Sequence, residues 1–242
     1  MKIHLLVLIA SFPLVSLAQG GKPFGDATHP AAPQQIPGPV FCAYYDLGGE
    51  GTTYHDTEET NQGSGKLNPA DGSYLHEFRK NEGPDTSYTK QLPDLESPCN
   101  KVVPPSDLLY VGWNFVGEWF NLTVQAAEPA TYVADILYTA HNDARISFSV
   151  DGSPTAVPCV LTSTFDAADP IPWRQWHHWN TARDAVTLKL PKGISVIKVS
   201  IVEGGNINLA TLAFRPSGAE RKGPDITDFK TPVPAIRNPE NP

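Results

Sequence analysis

Nine residues, 172–180 (PWRQWHHWN), hold three of the chain's five tryptophans and two of its seven histidines. Side chains of these types can ligate a metal through imidazole nitrogens, shuttle protons, fill a core, or present flat rings to a flat ligand. An extended segment sends successive side chains to opposite sides. Trp173, Gln175, His177 and Trp179 then share one side, and Arg174, Trp176 and His178 the other. Adjacent histidines diverge, so a simple shared metal site is not expected here. The chain has no CxxC spacing and no paired Cys/His cluster, so the expected metal ligands are none. No GxSxG motif and no recognised Cys–His pattern supports nucleophilic catalysis. Glu50, Asp56, Glu58 and Glu59 form an acidic loop. It reads first as a solvated surface and, as the alternative, as a source of paired carboxylates for cutting a glycan. His55 and His76 have no partner that the sequence identifies.

The elements that must position these residues are strands. Short β-branched or aromatic runs at 118–125, 131–140, 145–150, 185–190, 195–202 and 207–214 alternate in part, and turn signals separate them at Asp151-Gly152, Pro191-Lys192-Gly193 and Gly204-Gly205. This spacing predicts an all-β chain, an antiparallel β-sandwich or jelly roll. Residues 41–109 are less regular, with long polar loops of the kind that carry binding sites. The sequon Asn121-Leu122-Thr123 falls within a predicted strand.

Both ends read differently. Residues 1–18 carry Lys2, an apolar run and small residues before Ala18, the pattern of a secretory signal peptide, so the chain is expected to be secreted, extracellular or periplasmic. Residues 19–35 and 217–242 are rich in proline, glycine and charge and read as an N-terminal linker and a C-terminal tail. The formal charge of −8 and the lack of a basic run argue against nucleic acid as a partner, and no run is apolar enough to span a membrane. Three cysteines, Cys42, Cys99 and Cys159, permit one disulfide, with the pairing open.

Ordered pieces of the chain resemble a known family. Ile36-Pro37-Gly38 leads into Tyr45-Asp46-Leu47-Gly48-Gly49-Glu50-Gly51 and Tyr54-His55-Asp56-Thr57. Arg79, Glu82-Gly83 and Asp85 follow, then Val111-Gly112-Trp113 and the run 117–124 (GEWFNLTV). Trp173-Arg174-Gln175-Trp176, Leu190-Pro191-Lys192-Gly193 and Ile207-Asn208-Leu209 close the series. In this order they resemble a family 6 carbohydrate-binding module over residues 36–216. The resemblance implies a loop cleft in which two aromatic rings clasp a sugar and an asparagine hydrogen-bonds it. By motif, one ring is Trp113, the other is Trp173 or Trp176, and the asparagine is Asn208. Trp179 and Trp119 are expected to pack inside. The family often holds a structural calcium with carboxylates at positions that are Phe41, Ala43 and Ala210 here. Carbon has replaced oxygen at all three, so no cofactor is expected.

The expected function is non-catalytic binding of a polysaccharide or oligosaccharide, with glycoside hydrolases acting on the same glycan as possible partners. The rivals are a secreted glycan-cleaving enzyme and a structural or adhesion β-sandwich.

Overall fold

The computed structural model describes residues 21–155 and 157–221. The expected signal peptide and most of the C-terminal tail lie outside them. Thirteen strands are described: β1 (Gln34–Ile36), β2 (Gly38–Phe41), β3 (Tyr54–His55), β4 (Thr86–Tyr88), β5 (Leu109–Phe115), β6 (Trp119–Ala126), β7 (Ala130–Ala140), β8 (Ala144–Val150), β9 (Ser153–Pro154), β10 (Cys159–Leu161), β11 (Asn180–Leu190), β12 (Gly193–Glu203) and β13 (Gly205–Pro216).

They form two sheets. One runs β1-β6-β12-β8-β10, with β3 on β6 and β9 on β8; the other runs β11-β7-β13-β5-β4, with β2 on β13. All pairs are antiparallel except β1 with β6. The architecture is the expected antiparallel β-sandwich.

Alternation sets the two faces. In β12, Ile197, Val199 and Ile201 are buried while Val196, Lys198 and Ser200 are not; in β8, Ala144, Ile146 and Phe148 point inward. Each large aliphatic side chain buried this way contributes about 1.5–3 kcal/mol. Strands β7 and β13, central in their sheet, are buried along almost their whole length. Asp151 and Gly152 both take positive φ (49° and 79°), the geometry of a tight hairpin turn. No helix among the described residues is long and apolar enough to cross a membrane.

Three expectations change. Residues 21–35 are packed onto the sandwich and are not a free linker: Lys22 pairs with Leu47, Phe24 stacks on Tyr44 with centroids 4.7 Å apart, and β1 joins β6. A proline-rich composition hid one core aromatic and one edge strand. The start of the C-terminal tail is also anchored, since Arg221 binds the Asp135 carboxylate through Nε at 2.7 Å and Nη2 at 3.0 Å. Finally, all three cysteines are free, with Cys42 and Cys159 buried and Cys99 half-buried. The sequon residue Asn121 is 2% exposed inside β6.

Candidate functional site

Strand β5 breaks its register against β13 between Val111↔Leu209 and Asn114↔Ile207, so three steps along β5 match two along β13. The extra residue makes a bulge, and within it Trp113 has φ 51°, a left-handed conformation uncommon for a bulky side chain. Such a backbone persists only where its surroundings hold it, at a cost of about 1–3 kcal/mol.

Two asparagines hold it. Asn208 accepts the Trp113 N–H at 3.0 Å and donates to Thr139 Oγ1 at 2.9 Å. Asn114 donates to the carbonyls of Val111 and Ile207 at 3.1 and 2.8 Å. Gly112 is required by this packing, because a Cβ there would sit 2.8 Å from Asn208 Oδ1 and 3.1 Å from the Tyr110 ring. The Val111-Gly112-Trp113 and Asn208 motifs, separate in sequence, are therefore one structural unit.

The segment 172–180 is not a strand until Asn180. Pro172–Arg174 forms a 3-10 turn with proline at its start, where the missing N–H matters least, and the following residues run as irregular chain. The alternation expected for Trp173 to Trp179 therefore does not hold. The divergence of the histidines does hold, through separate partners. Trp173 is 57% exposed, Trp176 is 9% exposed and Trp179 is fully buried, its indole N–H donating to Asp94 Oδ1 at 2.9 Å. Trp119 is half-buried, with Lys198 over its ring.

His177 is the hub of the ring cluster. Its centroid lies 6.5 Å from Trp173, 5.5 Å from Trp176, 5.8 Å from Trp179 and 5.8 Å from Tyr110, which in turn lies 6.5 Å from Trp113. His177 Nε2 is 2.8 Å from Asp94 Oδ1, and Nδ1 is 3.4 Å from Asn208 Nδ2. Burial pushes the Asp94 carboxyl up, but His177, the Lys90 N–H and the Trp179 indole outweigh it and hold Asp94 below its ordinary value. Asp94 thus brings Trp179, the residue before β11, and the hub histidine to one carboxylate oxygen. Asn208 is fully buried with its amide oxygen and nitrogen both engaged, so it acts from beneath Trp113.

Sequence reasoning singled out Trp113, Trp173, Trp176 and Asn208, and the structure brings all four to the cluster around His177. It passed over Tyr110 and Asp94 as members; the adjacent histidines between tryptophans were the only signal for the hub. Phe41, Ala43 and Ala210 are buried in the core at 8%, 0% and 0% exposure. None has a side-chain oxygen, so a hard cation finds no ligand in these three side chains.

On the other flank of β5 the acidic residues gather. Gly112 N–H donates to the Asp85 carbonyl at 2.8 Å, and Phe115 N–H donates to Glu118 Oε2 at 2.7 Å. Burial, with the nearby charges of Glu118, Asp85 and Glu58, raises the Asp56 carboxyl to about 7. Burial, Glu58 and Glu118 raise Asp85 to about 6. Glu50 stands apart, exposed and paired with His55 Nδ1 at 2.5 Å.

No protein-family profile matches the chain, and no curated protein shows significant sequence similarity to it. Among solved structures, the chain is similar to a family 35 carbohydrate-binding module from Clostridium thermocellum at 20% identity and a TM-score of 0.38, covering 55% of this chain and 88% of that one. A family 35 module from an environmental isolate matches at 21% and 0.35, over 50% of this chain and 86% of that one. The Podospora anserina GH26-CBM35 β-(1,4)-mannanase matches at 11% and 0.38, over 77% of this chain and 29% of that one. These matches name family 35, whereas the residues quoted from the sequence resemble family 6, and likeness at this level carries no functional argument.

Proposed function

We propose that the chain is a non-catalytic carbohydrate-binding module, of the family 6 type its motifs resemble, that holds a polysaccharide or oligosaccharide against Trp113 and Trp173. The observation that carries this reading is Trp113: a half-buried ring on a left-handed bulge, locked by the buried Asn208, beside a cluster whose outermost ring, Trp173, is 57% exposed. A pyranose offers an apolar face of C–H groups to a ring, and a ring already held in place loses little freedom on binding. Trp173 rather than Trp176 is the second ring, because Trp176 is spent on His141 and His177. Asn208 contributes by fixing Trp113 in place of touching the sugar. Apolar packing of Phe41, Ala43 and Ala210 replaces the family's calcium, so adding calcium leaves the melting temperature unchanged. The module works in a secreted protein, alongside glycoside hydrolases acting on the same glycan.

Calorimetry or affinity electrophoresis against β-glucans, xylans and galactans tests this. Binding to at least one glycan that Trp173→Ala abolishes, with the melting temperature preserved, is the expected result. Uniform failure across the panel overturns it.

The acidic flank supports a second reading. A carboxyl raised to about 7 beside ionisable neighbours suits the acid partner in glycan cleavage. Release of reducing ends from a bound polysaccharide, abolished by Asp56→Asn, would establish that reading; no release leaves binding alone.

A further inference from the structure

The second histidine of the pair leads to a different place. His178 and Asp169 have fully buried side chains, and half-buried Cys99 brings its thiol beside them, so that one donor atom from each of the three lies within 4.8 Å of the others. Cys99 belongs to the loop between β4 and β5, and Asp169 and His178 to the loop between β10 and β11. The two loops are joined next to the cluster: Lys101 and Val102 N–H groups donate to the Trp179 carbonyl at 2.9 and 3.1 Å, and Trp179 N–H donates to Asn100 Oδ1 at 2.9 Å.

The geometry around His178 calls for a cation. Its Nδ1 lies 2.9 Å from the Thr164 carbonyl oxygen, a contact that needs a proton on Nδ1. In the neutral ring Nε2 is then a bare lone pair, yet it points at Asp169 Oδ2, 2.9 Å away. Arg174 grips Asp169 through Nε at 2.7 Å and Nη2 at 3.0 Å and the Ile171 N–H donates to it, a set of donors that suits a carboxylate. Two lone pairs facing each other without water repel unless a proton or a metal ion sits on them. A proton would engage only the His178–Asp169 pair, although the Cys99 thiol lies within 4.8 Å of both. A metal ion uses all three donors.

We propose that Cys99, Asp169 and His178 bind one zinc-type divalent ion, which clips the loop bearing Trp173 to the loop bearing Asp94. Imidazole nitrogen, carboxylate oxygen and thiolate sulfur are the donors zinc accepts, and the Nδ1–H to carbonyl bond is the outer contact that orients a ligating histidine. Charge balances: the thiolate and carboxylate offset the dication, and Arg174 keeps its charge as in the metal-free state. Binding displaces the Cys99 thiol proton to solvent, together with the Nε2 proton wherever His178 was an imidazolium. Water from the half-open side of Cys99 fills the fourth position. The proposal stands whether or not the chain binds glycan.

The test uses the full chain, reduced, free of any histidine tag and stripped of metal by chelation. Cobalt(II) chloride should produce a thiolate-to-cobalt charge-transfer band saturating at one ion per chain. Cys99→Ser should lose that band, and Cys159→Ser should keep it. Zinc chloride should displace the cobalt and raise the melting temperature of the parent protein but not of Cys99→Ser. Cys99 is half-exposed, so its serine variant is expected to fold even where His178 or Asp169 variants do not. A spectrum without a thiolate band at saturating cobalt, or a band that survives Cys99→Ser, would overturn the proposal.

Discussion

Two clusters flank the same bulge of β5 and are built on opposite principles. On one side Trp173 and Tyr110 pack on His177 and Trp113 lies next to Tyr110; Asn208 pairs with Trp113 and Thr139, and Asp94 accepts from Trp179 and lies 2.8 Å from His177 Nε2. On the other side Asp56, Asp85 and Glu118 take hydrogen bonds from backbone N–H groups and from Thr57 but crowd like charges together. The first cluster presets the direction of a ring; the second stores titratable charge. A surface that binds an uncharged ligand needs fixed orientation, and a surface that moves protons needs carboxyls whose pKa values are set apart. The same few residues of β5 support both, so variants can separate them.

The largest effect is expected where the rings are removed. Trp113→Ala and Trp173→Ala should each weaken glycan binding by about 2 kcal/mol or more, roughly a thirtyfold rise in Kd, as loss of a central aromatic anchor does. The two should differ in stability. Trp173 is exposed and its loss leaves the melting temperature alone, while Trp113 packs against the core and its loss lowers it. If Trp173→Ala binds glycan as the parent does, the ring cluster is structural and the contrast between the flanks fails.

Next comes the support beneath Trp113. Asn208→Ala leaves the Trp113 N–H and Thr139 Oγ1 without their partner and should destabilise the fold by about 1–3 kcal/mol. Glycan binding should fall with it in folded protein, because the bulge loses its latch. Gly112→Ala should cost a similar or smaller amount, about 1–3 kcal/mol, by driving a methyl group toward Asn208 Oδ1 and Tyr110. Chemical denaturation with paired binding isotherms checks both. A Gly112→Ala protein with unchanged stability would mean that β5 can reopen its bulge freely.

How much of this was legible varies with how local the cause is. The six predicted strands all appear, because alternating Ile, Val and Phe at 146–148 and 197–201 reports a face directly. β5 was passed over as an element, since a bulge at Gly112 and Trp113 breaks the period that betrays a strand. Around Trp173 the alternation argument failed because Pro172 starts a tight turn, and a turn has no period of two. Trp113 and Asn208 were found through motifs, but their bond spans 95 positions and their division into a ring and its latch needed coordinates. The gathering of Cys99 with Asp169 and His178 is less visible still: spacing rules detect ligands on one short segment, and here two loops deliver them.

The smallest effect on glycan binding is expected on the acidic flank, where stability changes instead, with a sign that follows from proton linkage. Asp56 and Asp85 rise from 3.8 to about 7 and about 6, and buried Asp46, despite accepting from Thr123, rises to about 6. For each, the folded state binds more protons than the unfolded chain between 3.8 and the raised value. Their contribution to stability is therefore full below 3.8 and is lost as pH climbs through 6 and 7. Asp26 works the other way: lowered to about 2 by Tyr74, Thr28 and backbone N–H groups against the opposing effect of burial, it contributes above 3.8 and loses that contribution as pH falls through 2. The melting temperature should therefore be higher at pH 5 than at pH 8, and Asp56→Asn should narrow that gap by raising the value at pH 8. Glycan binding by Asp56→Asn should match the parent, since the neutral amide keeps its place away from the rings. A pH gap that Asp56→Asn leaves intact would show that the crowding of charge on this flank is relieved by solvent, and the two sides of β5 would then differ in composition but not in energetics.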